Sequence, residues 1–469
     1  MSWHIHHADV LEALRAMPDN SADAMLSDVP YGLGSREPTA EELIAYLKGE
    51  DLQMGGDFMA KDWKIPSVKI WREIYRVMKP GAPVLAFGGT RTFDLIGLGM
   101  RVAGLQGRDC ISWMYGSGFP KSLNVSKALD DVKRERKKKP EPLDLETFDD
   151  YEEEQEEHAD PPLASQSLVK IWAGYGTALK PAWEPCLVFR KPMDGTVAHN
   201  VKAHGVGGLN IADCSIGRSE NDKASGWSTT GSGAGENIAM SGANYARDPK
   251  PDSPGRWPAN VVLDEEAAGA LDAVVGDRPS TPFAASVATG IVLPFSTRPG
   301  GGYADSGGPS RFFYTAKASR EERDLGCDAL AVRSVKEAVG REEGSAGARN
   351  PRAGAGAGGG AKNHHPCVKP IALMRWLSRL MLPPERQGDA RRIIIPYSGS
   401  GSEMIGALLA GWDDVIGIEL EAEYIEIARH RLALAASNPR AFESLMDGEL
   451  QRGEKIDPRQ VSMWKEGRP

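Results

Sequence analysis

Long apolar runs are missing from this 469-residue sequence. No stretch approaches the roughly 18 consecutive apolar residues of a membrane span, and Met1-Ser2-Trp3-His4 leads into polar sequence without a basic-then-apolar leader. A cytoplasmic protein with no membrane partner is therefore expected. Cysteine is scarce as well: Cys110, Cys186, Cys214, Cys327 and Cys367 are far apart with no C-x-x-C pair, which argues against a disulfide framework or a structural zinc site. His4, His6 and His7 do not restore a metal site, because on an alternating strand His4 and His6 face away from His7. Nothing matches G-x-x-x-x-G-K-[ST], so an ATP phosphate loop is disfavoured. Positive charge is in deficit, with 56 Lys and Arg against 65 Asp and Glu and a net charge of −9, so binding to polyanions across the whole surface is not expected. An acidic average still leaves room for a basic cleft.

What the sequence does hold is an ordinary apolar fraction of 41%, with 53 glycines and 32 prolines, the pattern of a folded core interrupted by long loops. Charge is unevenly placed: Arg134 to Lys139 reads RERKKK and Asp149 to Glu157 reads DDYEEEQEE, most simply a solvated surface linker. Both ends of the chain alternate strand and helix. Val10 to Met17 reads as a short helix and Ala24 to Ser27 as a buried strand stopped by Asp28-Val29-Pro30-Tyr31-Gly32. Trp71, Ile74, Tyr75 and Met78 give an amphipathic helix closed by Pro80-Gly81, after which Val84 to Phe87 returns as a strand. Cys110 to Tyr115 and Cys186 to Phe189 are further strand candidates. Near the other end, Arg392 to Ile395, the helix Glu403 to Ala410, the strand Val415 to Ile418 and the helix Ala422 to Ala435 form a βαβ unit with a Gly-rich first turn. Residues 194–310 carry only short apolar runs such as Val261-Val262-Leu263, and GAGAGGGAK marks a low-complexity linker.

Two constellations carry chemistry. The turn Pro396-Tyr397-Ser398-Gly399-Ser400-Gly401-Ser402 lets the backbone approach a ligand and presents free amides at a helix start. Alone it is no more than a tight turn, but Glu419 at the next strand end supplies a carboxylate suited to two ribose hydroxyls, and together they suggest a nucleoside cofactor. The second is Asp28-Val29-Pro30-Tyr31, at a strand's carboxyl end where open α/β sheets bind ligands. A carboxylate, a backbone carbonyl and an aromatic ring suit a flat, amine-bearing ring; the plain alternative is that Asp28 caps a turn and Tyr31 packs on the core.

Together these motifs resemble the amino-methyltransferases of DNA adenine N6 or cytosine N4, whose tetrapeptide Asp/Asn/Ser-Pro-Pro-Tyr reads DVPY here. HHADVLEALRAMPDNSADAMLSDVPYG is similar to the family's amino-terminal segment, HPCVKP (His365 to Pro370) to its HPTxKP motif, and IPYSGSGSE to its DPFxGSGT cofactor loop. GGTRTFDLIG, YGSGFPKSLNVSKAL, KPAWEPCLVFRKP and RFFYTAKAS further resemble modification methylases of phages and prophages, so the likeness covers roughly residues 3–190 and 311–435. The motif order is that of the circularly permuted β group.

The resemblance implies an α/β fold: a Rossmann-like, mixed and mostly parallel seven-stranded sheet, circularly permuted, with a large irregular insert. On this reading residues 1–190 form the catalytic half, with a charged insert near 131–165. Residues 191–310 form a target-recognition insert, 311–341 return to the methyltransferase domain, 342–363 are a flexible linker, 364–436 form the cofactor-binding half, and 437–469 are a tail. It also implies S-adenosylmethionine over Gly399 and Gly401, flanked by Pro396, Tyr397, Ser400 and Ser402, with Glu419 on the ribose, Asp9 near the adenine, and the segment His365 to Lys369 near the methionine end. Asp9 is equally placed to cap a helix, and Lys369 could be a surface lysine. Asp28 and the carbonyl of Val29 would hold the amino group of a flipped-out base, with Pro30 fixing the backbone and Tyr31 stacking. Two departures stand out: Val29 replaces the first Pro of the tetrapeptide, and Ile395 replaces the Asp before the cofactor-loop Pro.

The leading expectation is an adenine-N6 methyltransferase of double-stranded DNA, since Asp opens the tetrapeptide. Cytosine N4 is the nearest alternative, and a non-catalytic DNA-binding module, with Val29 and Ile395 as marks of decay, is another. Lys121, Arg134, Arg136, Lys137, Arg256 and Trp257 are candidate DNA contacts. Members of this group often form homodimers.

Overall fold

The computed structural model describes residues 1–32, 34, 36–52, 54–55, 64–116, 118, 122–130, 168–217, 255–279, 306–316, 321–334 and 360–447. The chain divides into two compact units, Ser117–Ala182 and the remainder, Met1–Gly116 with Trp183–Pro469. In the smaller unit an isolated antiparallel bridge joins Asn124 to Gly176, and the Ser122 hydroxyl accepts from the Thr177 amide at 2.9 Å.

The larger unit is built on one sheet. Its strands are β1 (Ser2–His7), β2 (Ala24–Ser27), β3 (Pro83–Phe87), β4 (Gln106–Met114), β5 (Trp183–Arg190), β8 (Val261–Asp264), β11 (Tyr314–Ala316), β12 (Arg392–Pro396) and β13 (Asp414–Glu419). The two-residue strands β6 (Ile216–Gly217) with β7 (Gly255–Arg256), and β9 (Arg278–Pro279) with β10 (Ser306–Gly307), make small separate ladders. The sheet order is β1-β13-β12-β2-β3-β5-β4-β8-β11. Among its described strands only β5 runs antiparallel to its neighbours. The resemblance implies seven strands; among the described residues the sheet has nine, because β8 and β11 add in parallel beyond β4. The segment read as an irregular insert thus contributes a strand, and its Val262 is fully buried in the core.

Period-two alternation assigns each strand residue to one of two cores. Ala24, Leu26, Leu85, Phe87, Ile393 and Ile395 pack on one face with helices Ile371–Met381, Ser402–Ala410 and Ala422–Ser437. Met25, Val84, Ala86, Ile394, Ile416 and Ile418 pack on the other with helices Val10–Ala16, Val68–Val77 and Phe93–Val102. Burial on both faces is why these strands are nearly continuous runs of apolar residues, as parallel sheets require. Helix Val68–Val77 buries Val68, Trp71, Ile74 and Val77, close to the stripe its sequence spacing indicates. The departure Ile395 is a core residue with no exposure.

The segment expected as a tail from 437 starts instead with a helix, Pro439–Asp447, whose Phe442 is buried; an aromatic anchored in a core is a reason for order there. Only residues 360–363 of the expected Gly-rich linker are described, and there Ala361 bridges Arg333.

Candidate active site

Strands β12 and β2 are parallel neighbours, although one lies near the end of the chain and the other near its start. From β12 the order continues through β13 in one direction, and from β2 through β3 in the other, so the crevice between them is the topological switch point where open α/β sheets take ligands. The Ser27 hydroxyl, fully buried, donates to the Pro396 carbonyl at 2.6 Å and pins the two strand ends together. Asp28 follows one end and the Gly-rich turn follows the other.

That turn is shaped by backbone requirements. Tyr397, Gly399 and Gly401 all have positive φ, at 56°, 50° and 82°. A Cβ on Gly399 would lie 2.6 Å from His365 Nε2, so glycine there is what lets the imidazole close against the turn. The His365 ring is set by Nδ1 contact with the Cys367 carbonyl at 2.6 Å and by edge-on packing on Tyr424, and burial lowers its pKa well below the usual histidine range. Arg323 donates to the His365 carbonyl. Glu419 closes β13 and accepts from the Gly399 amide at 2.7 Å and from the Leu420 and Glu421 amides at 2.9 Å.

Asp9 accepts from the Leu11 and Glu12 amides at 2.9 and 3.3 Å, so its helix-capping role is realised; it follows β1, whose His7 is in register with Glu419.

On the β2 side, four polar side chains meet. The Lys369 ammonium lies 2.6 Å from Asp28 Oδ2, 3.1 Å from Glu184 Oε2 and 3.0 Å from the Tyr31 hydroxyl. The Tyr31 oxygen is also 2.7 Å from Asp28 Oδ1 and 3.0 Å from Glu184 Oε2. Burial opposes the charge on Lys369, but Asp28 and Glu184 outweigh it and hold the ammonium well above the usual lysine range. Burial, then Asp28, raises the Tyr31 pKa, so the phenol stays a donor. Val29 is buried in the core. Lys369 is not the surface lysine that the sequence left as an alternative: it is 5% exposed and paired with Asp28, since a buried ammonium needs a carboxylate partner.

Three participants are not among the candidate site residues named from the sequence, although Glu184 lies within KPAWEPCLVFRKP and Glu403 ends IPYSGSGSE. Glu184 is the second residue of β5 and reaches this edge because β5 runs antiparallel: Cys186 pairs with Phe87, so the start of β5 lies where β3 ends. Glu403, in the first turn of helix Ser402–Ala410, is 6% exposed, and burial followed by the nearby Asp28 pushes its carboxyl up to about 7. Arg431 has no exposure and donates to the Ser400 carbonyl at 2.6 Å, to the Ser402 hydroxyl at 3.1 Å and to the Glu322 carbonyl at 3.3 Å, bracing the turn from beneath.

The atoms of the turn suit S-adenosylmethionine. Ser398 Oγ is buried with no hydrogen-bond partner among the described residues, and three amides on Glu419 leave one of about four carboxylate lone pairs open to a hydroxyl. With the free amides at the start of helix Ser402–Ala410, these fit a polar nucleoside cofactor.

The model of the N6/N4 methyltransferase family, described as DNA methylase, matches residues 22–430. The chain belongs to this DNA methylase family. It is similar to the type II methyltransferase M.HpaI of Haemophilus parainfluenzae, 25% identical over 27% of this chain and 36% of that protein. Similarity to M.HindIII of Haemophilus influenzae is 23% identity over 44% of this chain and 64% of that one. The matches thus span from about a third to somewhat under two thirds of these relatives' length. The solved cytosine-N4-specific PvuII DNA methyltransferase aligns over 96% of this chain and 94% of its own at 10% identity and a TM-score of 0.39, too loose a likeness to bear on fold or function.

The candidate DNA contacts of this chain divide. Lys121, Arg134, Arg136 and Lys137 lie outside the described residues. Trp257 is 65% exposed, whereas Arg256 is 6% exposed, packed over Phe312 and donating to the Arg311 carbonyl at 3.3 Å. The sequence offers Arg256 as a possible contact to DNA phosphates or bases; here it is buried and its guanidinium is engaged by protein groups.

Proposed function

We propose that the protein transfers a methyl group from S-adenosylmethionine to an exocyclic amino group of double-stranded DNA, at adenine N6 in preference to cytosine N4. The observation that supports this reading is the parallel pairing of β2 and β12, with Asp28 following the one strand and the Gly399 to Gly401 turn following the other. Gly399, Ser400, Gly401 and Ser402 with Glu419 would hold the cofactor, with Asp9 and His365 beside them. When bound, that cofactor supplies an electrophilic methyl group. Exocyclic amino groups are poor nucleophiles because their lone pair is delocalised into the ring. Asp28 and the Val29 carbonyl accept the amino hydrogens and favour a tetrahedral nitrogen whose lone pair points at the methyl group, without a covalent intermediate. Val29 retains the backbone carbonyl of the residue it replaces, and preceding Pro30 it stays extended. A base inside a duplex cannot reach this crevice, so the target is flipped out of the stack.

Adenine is preferred because Asp opens the tetrapeptide. Labelled cofactor on duplexes in which only adenines or only cytosines are methylatable tests it: label in adenine is expected, and label in cytosine alone would overturn the choice of base. Cofactor binding by calorimetry separates the enzyme from a DNA-binding module with a lost site, which would bind none.

A further inference from the structure

Both oxygens of Asp28 are already engaged, Oδ2 by the Lys369 ammonium at 2.6 Å and Oδ1 by the Tyr31 hydroxyl at 2.7 Å. A target amino group seeking Asp28 meets a carboxylate whose negative charge is already shared with an ammonium 2.6 Å away and a phenol, so it is a weaker acceptor than a free one. The Lys369 ammonium cannot simply withdraw, because its side chain is 6% exposed and a buried charge without a partner is costly. Glu184 Oε2 lies 3.1 Å from that ammonium and 3.0 Å from the Tyr31 oxygen, so both donors already touch a second carboxylate.

We propose that Glu184 is a positioning residue, the alternative seat that draws Lys369 and Tyr31 off Asp28 when the target amino group arrives. The inference rests on the reading of Asp28 as the acceptor of the amino hydrogens. Moving the ammonium from one carboxylate to the other keeps it paired throughout, so Asp28 is freed without exposing a bare charge. The balance of charge points the same way. One ammonium between two carboxylates leaves one net negative charge, which faces the positive charge that develops on the amino nitrogen as the methyl group arrives. Neutralising Glu184 would leave a closed Lys369–Asp28 pair with no charge to spare. Glu184 touches neither base nor cofactor in this scheme; it acts through Lys369 and Tyr31.

The test is a double-mutant cycle with Glu184→Gln, Lys369→Gln and the double variant, with Glu184→Asp as the conservative control. Turnover is measured on unmodified duplex DNA from a methylation-deficient host with labelled S-adenosylmethionine. Glu184→Gln is expected to lower kcat by about tenfold or more, the worth of one hydrogen bond to a charged group. KM for the cofactor should stay within about twofold. In the Lys369→Gln background there is no ammonium to relocate and only the Tyr31 hydroxyl remains to be drawn off, so the same change should cost clearly less than in the unaltered background. Glu184→Asp should recover part of kcat. An equal cost in both backgrounds, or a parallel loss of cofactor affinity and melting temperature with no recovery in Glu184→Asp, would show a purely structural glutamate and overturn the proposal. If Asp28→Ala keeps full turnover while the cycle still shows coupling, the reading of Asp28 fails instead, and the two failures are distinguishable.

Discussion

Ser27 and Pro396 are 369 positions apart in the chain and joined by a buried hydrogen bond of 2.6 Å. Strand ends pinned this tightly fix the span of the crevice between Asp28 and the Gly-rich turn. Ser27→Ala removes this buried hydrogen bond to the Pro396 carbonyl, which costs about 0.5–1.5 kcal/mol. Denaturant unfolding should show that loss together with a lower kcat, whereas unchanged stability would mean that the pin is idle.

Asp28→Ala should lower turnover by at least about 10²–10³, the cost of losing one preorganised electrostatic interaction. Cofactor affinity, read by calorimetry, should be retained, because Asp28 lies on the opposite lip of the crevice.

Gly399→Ala places a Cβ 2.6 Å from His365 Nε2 at a φ of 50°. Left-handed strain of about 1–2 kcal/mol, a factor of roughly 5–30 in an equilibrium, should appear as weaker cofactor binding. A titration of S-adenosylmethionine against both proteins measures it, and equal affinities would remove this turn from the cofactor site.

Glu403 gives a pH signature of definite sign. Its carboxyl is pushed up to about 7 in the folded protein, against about 4.3 in an unfolded chain. Between those values the native state keeps a proton that the unfolded state has released, so stability falls as pH rises through the window and the penalty is complete above it. Glu403→Gln removes the penalty. Its stability relative to the unaltered protein should therefore rise from about pH 5 to about pH 8, by on the order of 2 kcal/mol. A difference that does not change with pH would show that Glu403 is ionised throughout.

DNA affinity should fall steeply with added salt. Replacing Arg134, Arg136 and Lys137 by Ala should reduce the slope of log affinity against log salt by about 0.9 for each DNA phosphate that no longer meets a cation. Filter binding across a salt series checks this, and an unaltered slope would remove the basic block from the interface.

The elements and the two loops were legible in the residues alone. Ala24 to Ser27 reads as a buried strand from its apolar run and is the strand observed, and the βαβ unit from Arg392 to Ser437 follows from its periodicity and its glycines. These signals are local: hydrophobic period and turn chemistry act over a few residues, so one dimension records them. Which side chains share the crevice was settled by packing in three dimensions. Glu184 enters because β5 is antiparallel, Arg431 because a helix packs beneath the turn, and Lys369 leaves the surface because Asp28 and Glu184 offset the cost of its burial. Arg256 is engaged by protein groups for the same kind of reason. Partners far apart in sequence leave no period and no motif, since their pairing is fixed by strand order and by the requirement that buried charges and donors be satisfied.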